Sequence, residues 1–335
     1  MIVPIEAVRD GDEQVIAARE PGKIGEPVID IGVLSDVPSV ESVVASTRIV
    51  SECELPRIRE LLLTSNTPAP ERATLRQLSG LAAFYAMHQA SGHPLDLSGL
   101  PAQQMRKLAV NRWLAKDLAP LENMTGLERL TAHLFKDALD AISGMRNLKY
   151  LHVRGPAKGW AKLRNCTRLE EAHLIDVQIA NLRRWNTWSQ LRKFTLSGRG
   201  VRSLAGLESF QTLERLTLLN LDTSDLSALR KLPQLISLEL RMADVVDLES
   251  VGSIHELRRF VIDSSRRDGE LVRLAGLKPL ASSSNLEEIV LLETCIEDGD
   301  LLPLATLQNL KKVRLGSMIA ADVEKAGRSD RLDSA

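Results

Sequence analysis

The sequence predicts an α/β repeat solenoid: a parallel β-sheet on the concave face, short 3₁₀ or α turns on the convex face, and an N-terminal cap. Three observations predict it. A pattern L-x-x-L-x-L recurs, as in Leu213, Leu216 and Leu218. A second apolar set follows each one in steps of three, as in Leu226, Leu229 and Leu232. The frame then restarts at Leu235, about 22 residues on, a period in the range of repeat architectures.

The two spacings specify two kinds of backbone. In a strand, alternate side chains point to opposite faces, so Leu216 and Leu218 share one face and Thr217 takes the other. A step of three is the period of a 3₁₀ turn. One repeat is then a strand and a short helical return, and stacked strands lie about 4.8 Å apart in one parallel sheet. A helix-pair solenoid would need roughly 34 or more residues per repeat, which this period does not supply.

Composition narrows the rest. The chain has 335 residues, 44% hydrophobic but only 3% aromatic, so its core is aliphatic. A formal charge of −1 argues against a nucleic-acid or membrane-surface binder, which carries a basic field. No run of about 18 apolar residues predicts a membrane span, and the N-terminus lacks the basic start and apolar stretch of a signal peptide. Cys53, Cys166 and Cys295 are odd in number and far apart, matching neither a disulfide framework nor a zinc site. Cys166 falls on a core position, and a reducing cytoplasm fits these thiols.

Taken in order, residues 1–57 are a cap or flanking region. Val28, Ile31 and Val33 suggest a strand, and Glu41–Val50 reads equally as strand or helical turn. The solenoid is assigned to 58–316, about 12 repeats, most regular over 105–262. It opens with Ile58, Leu61 and Leu63, and a weaker match follows at Leu81, Phe84 and Ala86. Repeat starts then fall at Met105, Leu127, Leu148, Leu169, Leu191, Leu213, Leu235 and Leu257, with longer steps to Leu286 and Leu310. The step after Leu257 inserts a loop carrying Arg266, Arg267, Asp268 and Gly269, a partner contact or a tolerated insertion. Of Trp185 and Trp188, Trp188 takes the apolar return position. Residues 317–335 form a charged C-terminal tail.

Over Ile58–Gly316 the chain resembles leucine-rich repeat proteins, in particular the short, internalin-type repeats. That resemblance implies a binding scaffold rather than an enzyme. It departs from the family in one respect: the asparagine or cysteine expected after each strand is replaced by Val177, Arg199, Leu221 and Ala243, so the turning backbone must find other partners.

The outward strand residues form three rows on the predicted concave face. The middle row runs from Leu62 through Tyr85, His152, His173, Thr195 and Thr217 to Arg314. One flank runs from Glu60 through Lys107, Arg129, Tyr150 and Glu171 to Lys312, the other from Thr64 through Met87, His133, Arg154, Ile175, Leu219 and Arg241 to Gly316. Cations outnumber carboxylates in these rows, which suits a partner with an acidic surface. Aromatic and arginine side chains are frequent energetic anchors. The expected contacts are Tyr85, Met87, Tyr150, His152, Arg154, His173, Ile175, Leu219 and Arg241.

The function predicted is a cytoplasmic protein–protein interaction module that binds a partner protein through its concave face, with no nucleic acid, membrane, cofactor or catalytic residue. Two alternatives stand beside it. One is an inhibitor or immunity-type protein that blocks a specific enzyme. The other is a metal-dependent enzyme in which His133, His152 and His173, three of the six histidines, converge on zinc. Phosphate loops, H-E-x-x-H and G-x-S-x-G motifs are missing from the sequence.

Overall fold

The computed structural model describes residues 7–10, 13–16, 28–37, 39–64, 67–86, 95–110, 117–133, 138–155, 159–221, 223, 225–242, 248–264 and 271–316. The chain divides into two compact units, Met1–Cys166 and Thr167–Ala335. No helix among the described residues is long and apolar enough to cross a membrane.

The first unit holds β1 (Ala7–Asp10), β2 (Glu13–Ile16), β3 (Val28–Asp30), β4 (Ser42–Ala45), β5 (Arg48–Val50), β6 (Glu60–Leu63), α1 (Arg72–Gln77), β7 (Ala83–Ala86), β8 (Lys107–Val110), β9 (Arg129–His133), α2 (Ala138–Ile142) and β10 (Tyr150–Arg154). Strands β4, β6, β7, β8, β9 and β10 pair in that order, all parallel. β1 and β2 form an antiparallel pair, and β2 lies against β4. β3 and β5 pair in parallel beside the main sheet. The strand ladder therefore starts before Ile58. Val40, Val43 and Ala45, at 2%, 3% and 4% exposure, occupy the positions that Ile58, Leu61 and Leu63 take one repeat later.

The second unit holds β11 (Glu171–Ile175), β12 (Lys193–Ser197), β13 (Arg215–Leu219), β14 (Ser237–Arg241), α3 (Leu248–Gly252), β15 (Arg259–Asp263), β16 (Val272–Leu274), β17 (Glu288–Leu292), β18 (Thr294–Ile296), α4 (Leu302–Ala305) and β19 (Lys312–Leu315). Strands β11 to β15, then β17 and β19, form a parallel ladder with no slip in register. After the insertion, whose residues 265–270 lie outside the described set, β16 pairs with β18 to form a small second sheet.

Each repeat is built as its spacing dictates. In β13, Leu216 and Leu218 face the core, and Arg215 lies exposed with Thr217 and Leu219 half-buried. In the return, the Leu229 N–H donates to the Leu226 carbonyl at 2.9 Å, and Leu232 N–H to Leu229 at 3.1 Å, so the step of three is a run of 3₁₀ bonds. Asp225 begins that turn by accepting from the Ser227 N–H at 2.9 Å.

The turns that lack asparagine are tied to the next repeat by backbone bonds at or just before those positions. Val177 N–H donates to the Ser197 carbonyl at 2.8 Å, Asn220 N–H to Arg241 at 2.9 Å and Met242 N–H to Asp263 at 2.9 Å. After these strands the ladder thus continues one or two residues into the turn and ties it to the next repeat. The chain turns there through a left-handed residue: Asp176, Asn220, Met242 and Glu293 have φ of 63°, 52°, 49° and 52°, and Gly198 has 149°. At Gly198 a β-carbon would sit 2.2 Å from the Val177 carbonyl oxygen, so this close approach needs glycine.

Return positions hold the larger side chains. Both Trp185 and Trp188 are buried, at 2% and 0% exposure, where the pattern assigned only Trp188 to the core. Their rings stack at 4.8 Å, and Phe194 and Phe210 meet Trp188 at 6.1 Å each. Cys166 is a free thiol at 0% exposure, pushed up to about 12 by burial, and behaves as a small apolar side chain.

Candidate functional site

The outer face of each sheet is where side chains are displayed without a packing role, because the alternation commits every second residue to the core. In the first unit, register places Val44, Leu62, Tyr85, Ala109, Thr131 and His152 in one row across successive strands. The flanking row is Ser42, Glu60, Ala83, Lys107, Arg129 and Tyr150. Leu62 is 38% exposed, and Tyr85, Tyr150 and His152 are half-buried. Arg129 lays its guanidinium carbon 4.0 Å from the centre of the Tyr150 ring, a cation–π contact between adjacent strands. Burial, and then the Glu60 carboxylate, raise the Tyr85 phenol above its ordinary value against the opposing pull of Arg129, so it stays a neutral hydroxyl.

In the second unit the flanking row carries charge pairs at its two ends, with Arg215 and Ser237 between them. Lys193 meets Glu171 at 3.2 Å, and Glu288 takes Lys312 at 2.6 Å and Arg259 at 3.0 Å. Arg241, an expected contact, is exposed but salt-bridged to Glu239 at 2.6 Å on its own strand. The face is not open everywhere: Val261 and Val290, outward by alternation, are only 4% and 6% exposed. Leu219 is half-buried and is in register with Arg241.

His173 sits in a polar chain. One ring nitrogen, Nε2, lies 2.8 Å from Glu171 Oε1, and Nδ1 lies 2.9 Å from Thr195 Oγ1. Burial alone would raise the Glu171 carboxyl, but hydrogen bonds from His173 and Lys193 outweigh it and hold the group below its ordinary range. A carboxylate, an imidazole and a hydroxyl in series is the order of a nucleophilic triad, but the strand N–H groups beside it are spent in the ladder and do not serve an oxyanion. The chain orients the ring. Both ring nitrogens are engaged, so the ring has no lone pair to give a metal without breaking one of these bonds. Among the described residues no three His, Cys, Asp or Glu side chains are placed to hold a metal ion.

The expected contacts therefore distribute as follows. Tyr150, His152 and Arg154 are displayed together on β10, and His133 lies in register with Arg154. Tyr85 shares their face, three strands away. His173 and Ile175 alternate on β11, half-buried. Met87 lies outside the described residues. The sequence placed Leu62, Lys107 and Arg129 in the right rows but did not single them out. What distinguishes them is exposure and, for the two cations, the lack of an ion pair among the described residues, both set by neighbours about a repeat away.

No family model and no curated protein matches the chain. Solved structures do. An internalin, InlF, from Listeria monocytogenes is similar over 81% of this chain and 79% of its own, with TM-score 0.63 and 21% identity. Internalin C2 from the same organism is similar over 61% of this chain and 86% of its own, with TM-score 0.50 and 22% identity. The plant peptide hormone receptor RGFR1, in complex with RGF2, matches 93% of this chain and 52% of its own, with TM-score 0.51 and 12% identity. The chain has the fold of the leucine-rich repeat proteins, in its short-repeat, internalin-like form.

Proposed function

We propose that the chain is a protein-binding module that docks a partner on the open face of its parallel sheet. One observation carries this reading: in the first unit an exposed leucine, two tyrosines and a stacked arginine share a face that the fold itself does not need. Tyrosine and arginine are over-represented among residues that dominate binding energy. A sheet locked by a continuous ladder loses little freedom on docking, so such residues are preorganised. The receptor RGFR1 in complex with RGF2 is the same fold engaged with a partner. An acidic partner surface suits the cations of this face, and Cys53, Cys166 and Cys295, none of them in a disulfide, fit a reducing cytoplasm.

The test is comparative capture. Intact protein and a variant with Tyr150→Ala, His152→Ala and Arg154→Ala are each used as bait, and retained proteins are quantified by mass spectrometry. The expected outcome is a partner depleted at least tenfold by the triple variant. A partner retained equally by both, with the variant shown to be folded, would remove this face from the interface.

A further inference from the structure

The charges of the first unit's open face are left incomplete in a directional way. Lys107 and Arg129 lie in register on β8 and β9, both exposed, about 4.8 Å apart by strand spacing. Like charges directly opposite one another destabilise a sheet. In the second unit Glu171 neutralises Lys193, and Glu288 neutralises both Arg259 and Lys312, in each case from the neighbouring repeat. Here neither cation has an ion pair among the described residues, and the residue beside Lys107 on the other strand is Ala83. The Tyr150 ring holds one face of the Arg129 guanidinium and leaves its N–H edge for an acceptor.

The apolar part lies to one side. Leu62, 38% exposed, is in register with the half-buried Tyr85. Around Tyr85 the face drops away, because Ala83 and Ala109 are small and only 7% and 8% exposed. Glu60 borders this apolar end and would repel an acid placed there. The face therefore has an apolar seat at β6–β7 and a cationic seat at β8–β9. Their midpoints are two strands apart and, because Lys107 and Arg129 lie in the flanking row, two residues apart along the strand, about 12 Å in all.

We infer that this face binds an acidic–apolar segment of a partner protein, with a carboxylate seated between Lys107 and Arg129 and an aliphatic or aromatic side chain seated on Leu62 and Tyr85. It rests on the docking function proposed above and adds to it the partner's chemistry and spacing. An extended chain advances about 3.3 Å per residue and turns every second side chain to the same face, so the acid and the apolar residue are four positions apart in a segment that crosses the strands obliquely. The acid completes the unpaired cations, and Glu60 fixes which end of the segment is acidic.

The experiment uses the full chain and fluorescein-labelled peptides. Each carries two glutamates and one leucine, with zero to eight Gly/Ser residues between the acidic and apolar ends. A matching set has lysine for glutamate. Binding is read by fluorescence anisotropy at low and moderate salt. Affinity is expected to peak at about three intervening residues and to fall with salt. Lys107→Glu with Arg129→Glu should weaken it at least tenfold and remove or reverse the loss of affinity with salt. Leu62→Ser should weaken it severalfold and leave the salt dependence in place. These positions are exposed, and unchanged thermal melts verify that the variants fold. The inference is overturned if no peptide binds, if affinity ignores spacing, or if charge reversal has no effect. It is also overturned if a single-stranded oligonucleotide binds with the same need for Lys107 and Arg129 and none for Leu62, which makes the seat a phosphate site. A captured partner lost by the Tyr150/His152/Arg154 variant but kept by Lys107→Glu would leave the docking surface standing and sink the acidic anchor.

Discussion

A single residue in this fold is governed by which side of a strand or turn it occupies. Gly198 shows the strictest case. Its φ is 149°, and a β-carbon would meet the Val177 carbonyl oxygen at 2.2 Å. Gly144 has nothing within 4 Å of the same position. Gly198→Ala is expected to lower stability by about 2 kcal/mol or more, because backbone rather than a flexible side chain must move. Gly144→Ala should stay within about 0.5 kcal/mol or stabilise slightly. Urea denaturation of both variants checks the pair, and equal effects would contradict the geometry. The left-handed turn itself was not legible in the sequence. Asp176, Asn220, Met242 and Glu293 hold equivalent positions but share no residue type. The conformation is imposed by the ladder bonds that flank it, such as Met242 N–H to Asp263, and not by local preference.

At the scale of the element, strands are joined on their open side by charge pairs between consecutive repeats. Glu288 is the clearest case. Hydrogen bonding from Lys312, then the nearby Arg259, hold its carboxyl below its ordinary value of 4.5 in spite of some burial. A depressed carboxyl stabilises the fold above its unfolded value, and that contribution disappears as pH falls through the folded one. Glu288→Gln is therefore expected to reduce stability at pH 7 by at most about 1 kcal/mol, since both cationic partners are largely exposed. The gap between wild type and variant should close as pH drops below about 4.5. Chemical denaturation at pH 7, 5 and 3 measures it; a gap that widens in acid would refute the assignment. These pairs were beyond sequence reading, because Glu288 and Lys312 are a repeat apart and become neighbours only through register. The strands carrying them were legible, since alternation needs only adjacent residues. Trp185 holds the return position that Leu207 and Leu229 take in later repeats, so the spacing offered it to the core although only Trp188 was assigned there; its stacking on Trp188 at 4.8 Å needed the folded chain.

At the scale of the whole molecule, each repeat is stabilised mainly by its neighbours, so stability is nearly a sum along the stack. Removing residues 213–234 joins Thr212 to Leu235 and restores the frame in step. This shortened chain should fold, with a similar far-UV CD shape, a lower midpoint and a smaller denaturant slope. Removing only 213–223 throws the second unit's later strands out of register with its earlier ones and should abolish cooperative unfolding. If both deletions behaved alike, the repeats would not be the units of stability.

By itself the sequence determined the repeat, the parallel sheet and the face that each side chain takes, because period-two and period-three spacing are local properties of the backbone. Tertiary structure alone decided which displayed residues remain available. Val261 and Val290 point outward by alternation yet are buried, and Glu288 is taken by Lys312 and Arg259 from the strands on either side. Leu62, Lys107 and Arg129 are left exposed. Exposure and charge pairing depend on the neighbouring strands, roughly a repeat away along the chain, and only the register of the folded stack brings those neighbours together.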